Sequence, residues 1–205
     1  MIYAIEAVFS VLESSLEKYF NQNVAVGSPS GEGRFVLGNA AQMDASESEV
    51  QSKLRNRIII SLVNIEEESA LKNYRNLHKN HTTGSVEYEN PPVFLNLYIL
   101  FSAHFQDYKQ ALRGLSLVVR FFQGRNRFQF TVSDEDNVEA DETIDLSLDL
   151  YTMTFEQINH LWGSLGGKQV PFAMYKARLV SLSDHRPLGQ GKLIDKIDGN
   201  LGLKK

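Results

Sequence analysis

The stretch "PPVFLNLYILFSAHF", residues 91–105, limits the possible folds more than any other part of this 205-residue chain. In an extended strand, successive side chains point to opposite faces of a sheet. Val93, Leu95, Leu97, Ile99 and Phe101 then share one face, and Phe94, Asn96, Tyr98 and Leu100 share the other. Both faces are apolar apart from Asn96, so the strand needs a cover on each side and belongs inside a sheet. The segment that follows, residues 107–124, is a helix suited to covering the second of these faces. Tyr108, Ala111, Leu112, Leu115, Val118, Val119 and Phe122 form its apolar stripe, Asp107 caps it and Gly124 stops it.

Other segments read by the same periodicities. Ile2, Ile5, Val8, Phe9, Leu12, Leu16, Tyr19 and Phe20 recur at helical spacing, with Glu6, Glu13, Glu17 and Lys18 on the wet side. Residues 27–53 are mixed and are read as room for a hairpin. The β-branched run Ile58, Ile59, Ile60, Leu62, Val63 and Ile65 is a strand too continuous to have one fully wet face. Residues 66–90 are polar and form an unusually long connection, a candidate contact segment. Residues 134–142 are acidic and read as a solvated loop.

Ile144, Leu146, Leu148 and Leu150 alternate with Asp145, Ser147 and Asp149, as in a half-wet antiparallel strand. Thr154 and Gln157 have the spacing of a capping box opening a short helix through Phe155, Ile158, Leu161 and Trp162. The Gly166-Gly167 pair reads as a direction-reversing turn with at least one glycine at positive φ. Residues 171–182 form a last strand. The order lacks regular strand–helix alternation and internal repeats. It predicts an α+β fold, a single domain over residues 1–182 with a mixed or mainly antiparallel sheet packed against helices. Residues 183–205 are expected to be a loosely specified tail.

Several chemistries meet obstacles in the residues themselves. The chain has no cysteine, so it holds neither a disulfide, nor a thiolate zinc site, nor a cysteine nucleophile. No run approaches the roughly 20 apolar residues that span a bilayer, and no signal-peptide pattern opens the sequence. "GSLGGKQV" lies after a helix and before a strand, the reverse of a phosphate-binding loop, and Lys168 is followed by Gln169 rather than Ser or Thr. His78 and His81 are three residues apart in a polar segment, but no His-Glu-x-x-His pattern fixes their geometry. His160 reads as a surface histidine and Trp162 as a core plug. No catalytic residue, metal or cofactor is expected.

Arg120, Arg125 and Arg127 interleaved with Phe121, Phe128 and Phe130 keep one alternative open, a nucleic-acid or ligand-binding module over residues 120–130. The formal net charge of −4 argues against nucleic acid.

Three blocks carry a resemblance: "LVNIEEE" at 62–68, "NPPVFLNLYILFSAHFQDYKQALRGLSLVVRFFQ" at 90–123, and "FEQINHLWGSLGGKQVPFAMYKARLV" at 155–180. In this order and separation they resemble the N-terminal domain of the tail-terminator, or cap, proteins of contractile injection systems, which are phage-tail-like particles. The matching positions are Asn64, Ile65, Glu66, Asn90, Pro91, Leu95, Asn96, Leu97, Tyr98, Phe122, Gln123, Leu161, Trp162, Leu165, Gly166, Pro171, Tyr175 and Lys176. The resemblance implies a phage tail-terminator-like α+β fold and a structural rather than enzymatic role. A homohexameric ring would close the tube and sheath at the end distal to the baseplate. It also implies assembly in the cytoplasm followed by incorporation into the particle. The expected partners are further copies of the chain, the tube protein and the sheath protein. Arg113, Arg120, Arg125, Arg127, His78 and His81 are candidates for the subunit or tube and sheath contacts. Many members carry a further C-terminal extension, and functions attached to such an extension are not implied for residues 1–205.

Overall fold

The computed structural model describes residues 3–23, 34–43, 48–68, 77–79, 85–89, 93–134, 137–182 and 187–192. In chain order the elements are α1 (Ala4–Asn23), β1 (Phe35–Leu37), a 3-10 turn (Ala40–Gln42), α2 (Ser48–Leu54), β2 (Arg57–Glu67), β3 (Leu77–Lys79) and β4 (Ser85–Glu89). They continue with β5 (Val93–His104), α3 (Tyr108–Gly124), β6 (Arg127–Asp134), β7 (Asn137–Leu150), α4 (Phe155–Ser164), β8 (Phe172–Leu182) and β9 (Pro187–Lys192). Six strands form the main sheet in the order β1-β2-β5-β8-β7-β6, and β3-β4-β9 form a second. Among the described residues, only the β1–β2 pairing is parallel.

The central apolar strand is β5, paired antiparallel to β2 along one edge and to β8 along the other. Alternation sends Leu97, Ile99 and Phe101 into one core with Ile58 and Ile60 of β2, Tyr175 and Ala177 of β8, and Ile144, Leu146 and Leu148 of β7. Two long helices cover this face. α1 contributes Val8, Leu12, Leu16 and Phe20, and α3 contributes Ala111, Val118, Phe121 and Phe122. Leu100, Ile59 and Met174 face the opposite way, into a smaller core closed by Leu161 and Trp162 of α4, Leu54 of α2, and Ala40 and Met43 around the 3-10 turn. The architecture is therefore helices on both faces of a mixed, mainly antiparallel sheet.

Several expectations need correction. α3 covers the face of Leu97, Ile99 and Phe101, not that of Tyr98 and Leu100; α4, α2 and the 3-10 turn cover the latter. The buried stripe of α3 is Ala111, Gly114, Val118, Phe121 and Phe122, while Tyr108, Leu112 and Val119 are exposed. The cause is close approach: a Cβ on Gly114 would lie 2.9 Å from Ile58 Cδ1, so the helix seats its glycine on β2 and rotates its other apolar residues outward. Phe155 opens α4 at 88% exposure rather than joining the core.

Residues 27–53 hold no hairpin among the described residues. Instead β1 lies parallel to Ile58–Ile60, and Ser61 turns the chain away by donating to Gly38 O at 2.6 Å and accepting from Ala40 N at 3.1 Å. The long 66–90 connection contains β3 and β4. Within the acidic stretch Asp134 ends β6 and residues 137–142 open β7, and residues 187–192 form β9, which pairs with β4. Leu150 is exposed at the end of the otherwise regular inward row of β7.

The helix boundaries agree with their local signals. Lys109 N donates to Asp107 Oδ1 at 3.0 Å at the start of α3. At α4, Gln157 N donates to Thr154 Oγ1 and Thr154 N donates to Gln157 Oε1, completing the capping box. Gly166 and Gly167 adopt φ of 104° and 83°, so both occupy conformations that strain other residues.

Phe122 lies at the centre of an aromatic cluster, with ring centroids 4.6 Å from Tyr175, 5.0 Å from Phe121 and 5.4 Å from Phe101. Phe122→Ala should lower unfolding stability by about 3–5 kcal/mol. Phe155→Ala should change it by less than about 0.5 kcal/mol. Urea denaturation of both variants checks this contrast, and equal midpoints would contradict the packing described.

Candidate assembly surfaces

Residues from all three sequence blocks meet where β2, β5 and β8 run side by side. Tyr98 Oη donates to Glu66 Oε2 at 2.7 Å, and Lys176 Nζ donates to the same oxygen at 3.1 Å. The Lys176 ammonium also lies 5.2 Å from the Tyr98 ring centroid, and Tyr151 packs edge-on against that ring at 5.1 Å. Next to them, Asn96 is buried and donates from Nδ2 to Glu68 Oε2 at 2.9 Å, while its Oδ1 lacks a partner among the described residues. Glu66 and Tyr98 are 32 positions apart and Lys176 is 110 from Glu66, so only strand pairing assembles the cluster.

The electrostatics are mutually consistent. The hydrogen bonds from Tyr98 and then Lys176 hold the Glu66 carboxyl below its ordinary pKa. The same bond raises the Tyr98 phenol, with burial adding to it. For Lys176, burial alone would lower the pKa, but the bonds to Glu66 and Tyr98 outweigh it and the net shift is upward. With Glu66 lowered, its stabilising contribution is present at neutral pH and disappears as pH falls through the folded value, on the acid side of the ordinary carboxylate range. With Tyr98 and Lys176 raised, theirs is present at neutral pH and disappears as pH rises through their folded values, on the alkaline side of the ordinary ones. Burial pushes the neighbouring Tyr175 phenol up to about 12.

The candidate arginines occupy a different region. Arg113 and Arg120 are exposed on α3, two helical turns apart, Arg125 caps its C-terminus and Arg127 begins β6. Arg125 lies 4.8 Å from the Phe128 ring centroid. His78 lies on β3, opposite Glu87 in register, and His81 falls outside the described residues. The arginines therefore cluster along one helix and its exit, with His78 in the second sheet.

The aromatic half of the 120–130 segment has a different use. Phe121, Phe122 and Phe128 are buried against one another and against core rings, so they are not presented for stacking on a base. Trp162 is buried 5.4 Å from Phe172, and His160 is exposed. Gly167 N donates to Trp162 O at 2.7 Å, which places that amide in the turn rather than in a phosphate cradle. Among the described residues, no group of three or more His, Asp or Glu is placed to hold a metal ion, and no helix is long and apolar enough to cross a membrane.

A further surface was not anticipated. An open groove of about 610 Å³ lies between the start of α1 and the β1–β2 edge, lined by Tyr3, Ile5, Phe9, Leu37, Ile60 and Leu62 among others. Beyond the irregularity between Leu62 and Asn64, β2 leaves Leu62 38% and Ile65 45% exposed. The broken alternation at Leu62-Val63-Asn64 was the available sign that the strand changes environment there.

Residues 7–196 match the family model described as the Pvc16 N-terminal domain. The chain belongs to that family. No match to a curated protein was found.

Two solved assemblies share the fold. One is the sheath/tube terminator of the extracellular contractile injection system PVC in its extended state, determined by cryo-EM. It aligns with a TM-score of 0.58 at 15% identity, over 98% of this chain and 64% of the other. The second, also determined by cryo-EM, is the tube-terminating cap of the anti-feeding prophage. It aligns with a TM-score of 0.54 at 17% identity, over 95% of this chain and 60% of the other. The chain thus spans less than two thirds of the length of these relatives. The likeness establishes a tail-terminator-like α+β fold.

Tyr98→Phe should raise the pKa of Glu66 toward the ordinary carboxylate value by removing its 2.7 Å hydrogen bond. A carboxyl NMR titration of the two proteins measures this directly. An unchanged Glu66 pKa would mean that the bond does not form in solution.

Proposed function

We propose that this Pvc16 N-terminal domain protein is a structural terminator that closes the baseplate-distal end of the tube and sheath in a contractile injection particle. The observation that carries the reading is the family match over residues 7–196, joined to a fold shared with two solved caps over nearly the whole chain. It acts as a homohexameric ring, assembled in the cytoplasm and then retained in the particle. Its mechanism is assembly geometry without substrate turnover.

The physical demands of such a ring match the surfaces available. A ring needs head-to-tail contacts whose rotation closes. It also needs a second surface matched to the last layer of tube and sheath. Arg113, Arg120, Arg125, Arg127, His78 and His81 serve the subunit or tube and sheath contacts. The arginine charges fix orientation and encounter more than they add raw affinity. The apolar groove beside β2 offers area of a different kind, independent of salt.

The test is reconstitution with tube and sheath. Gold-labelled protein should decorate one end of each particle, opposite the baseplate, and its omission should yield tubes of uncontrolled length. Label spread along the sheath, or lengths unaffected by omission, would refute the terminator role. Light scattering over a dilution series should give six times the 23.2 kDa chain mass for a preformed ring. A stable dimer at every concentration would count against the hexamer.

A further inference from the structure

The solvent side of α3 carries two adjacent rows. Tyr108, Leu112 and Val119 line the first, with Leu115 between them partly buried against the core, and Lys109, Arg113 and Arg120 each follow one residue later, about 100° round the helix. Tyr108, Leu112 and Val119 are 64%, 46% and 41% exposed, an apolar ridge beside a cationic one. From residue 108 to 133 the sequence has five Lys and Arg and no Asp or Glu. None of Lys109, Arg113, Arg120 and Arg127 forms an ion pair among the described residues.

The complementary charge is on the same chain. From residue 134 to 149 there are eight Asp and Glu and no Lys or Arg. β7 pairs with β8 only over Ser147–Leu150, whereas β6 and β7 stay paired out to Asp134 and Asn137. The outer part of this hairpin is thus a two-stranded ribbon beyond the edge of the sheet's other pairings. Such a ribbon is marginal alone in water and gains by lying on another surface.

We infer that the acidic β6–β7 ribbon of one copy docks on the basic and apolar outer face of α3 of the next copy. The inference rests on the ring reading and identifies its subunit contact. Like faces repel, basic against basic and acidic against acidic, so a two-fold pairing through either face is disfavoured. Opposite faces that meet once per pair of copies do so head to tail, the geometry that closes into rings. The apolar ridge supplies contact area, and the charges set partner and register.

Charge reversal tests this, because the reversed arginines are exposed. One variant carries Arg113→Glu with Arg120→Glu, the other Glu139→Lys with Asp141→Lys. Each alone should associate about tenfold or more weakly than wild type and shift toward the 23.2 kDa single-chain mass at low salt. An equimolar mixture of the two, or one chain carrying all four changes, should regain the wild-type mass. Wild-type association should itself weaken as salt rises and the screening length shrinks from roughly 10 Å at 0.1 M to 3 Å at 1 M.

The absence of native cysteine allows a second readout. Leu112→Cys with Glu139→Cys should cross-link between copies, and neither single-cysteine variant should form more than dimers. Unchanged masses in both reversed variants, no recovery on mixing, or no inter-copy cross-link overturns the contact. If the reversed variants still cap tubes as rings, this contact is wrong while the ring reading stands. If wild type is monomeric both free and at the tube end, the ring reading itself falls.

Discussion

The requirement that dominates this structure is that β5 be buried on both faces. A half-wet strand needs one cover, and this one needs two, because Leu97, Ile99 and Phe101 project one way and Leu100 and Tyr98 the other. Burying each large side chain contributes roughly 1.5–3 kcal/mol. The chain satisfies both faces at once with two long helices on one side and α4, α2 and a 3-10 turn on the other. Strands β2 and β8 then inherit the same two-sided environment where they flank β5, which is why Ile58 and Ile59 are equally buried while facing opposite cores.

Polar contacts settle what burial leaves loose. Sheet register is strongly specified where a one-residue slip would turn the core side chains outward, and weakly specified elsewhere. Both β2 and β5 have register shifts, at Leu62/Asn64 and Leu95/Leu97, beyond which the apolar pattern weakens. Glu66, Tyr98 and Lys176 join three strands in this region through one carboxylate oxygen. The same logic operates at the other end of β5, where the Asn56 side chain, on a residue with φ of 56°, accepts from Gln106 N and ties the α2–β2 turn to the entry of α3. A frame follows that holds the α3 face and the groove beside β2 in fixed relation. For a protein proposed to work by assembly geometry, that fixed relation is the mechanism.

Legibility varied with the range of the forces involved. The Asp107 cap, the Thr154–Gln157 capping box, the Gly166-Gly167 turn and the inward row Ile144, Leu146 and Leu148 were all readable, because each involves neighbours within a few residues. The rotation of α3 was not. Its apolar band is wider than the core can accept, and Gly114 meeting Ile58, 56 positions earlier, decided which members went inside. β9 escaped notice because it is short and its pairing partner β4 lies about a hundred residues earlier, and β3 and β4 because each is short and polar. At the candidate surfaces the arginines were readable, since charge and exposure go together. The apolar ridge beside them was not, because Leu112 and Val119 looked like core until the helix was seated.

The sequence by itself determined the types of the long elements α1, α3, α4, β2, β5 and β8, the caps of α3 and α4, the α+β class and the presence of one strand that had to lie between two layers. Hydrophobic period and capping chemistry are local properties, and they survive without knowledge of the fold. Only the tertiary structure decided which helix took which face of β5, where Leu112 and Phe155 ended up, and that Glu66, Tyr98 and Lys176 would meet. Those outcomes depend on the shapes of surfaces brought together from distant parts of the chain, and close packing allows few ways for such surfaces to fit.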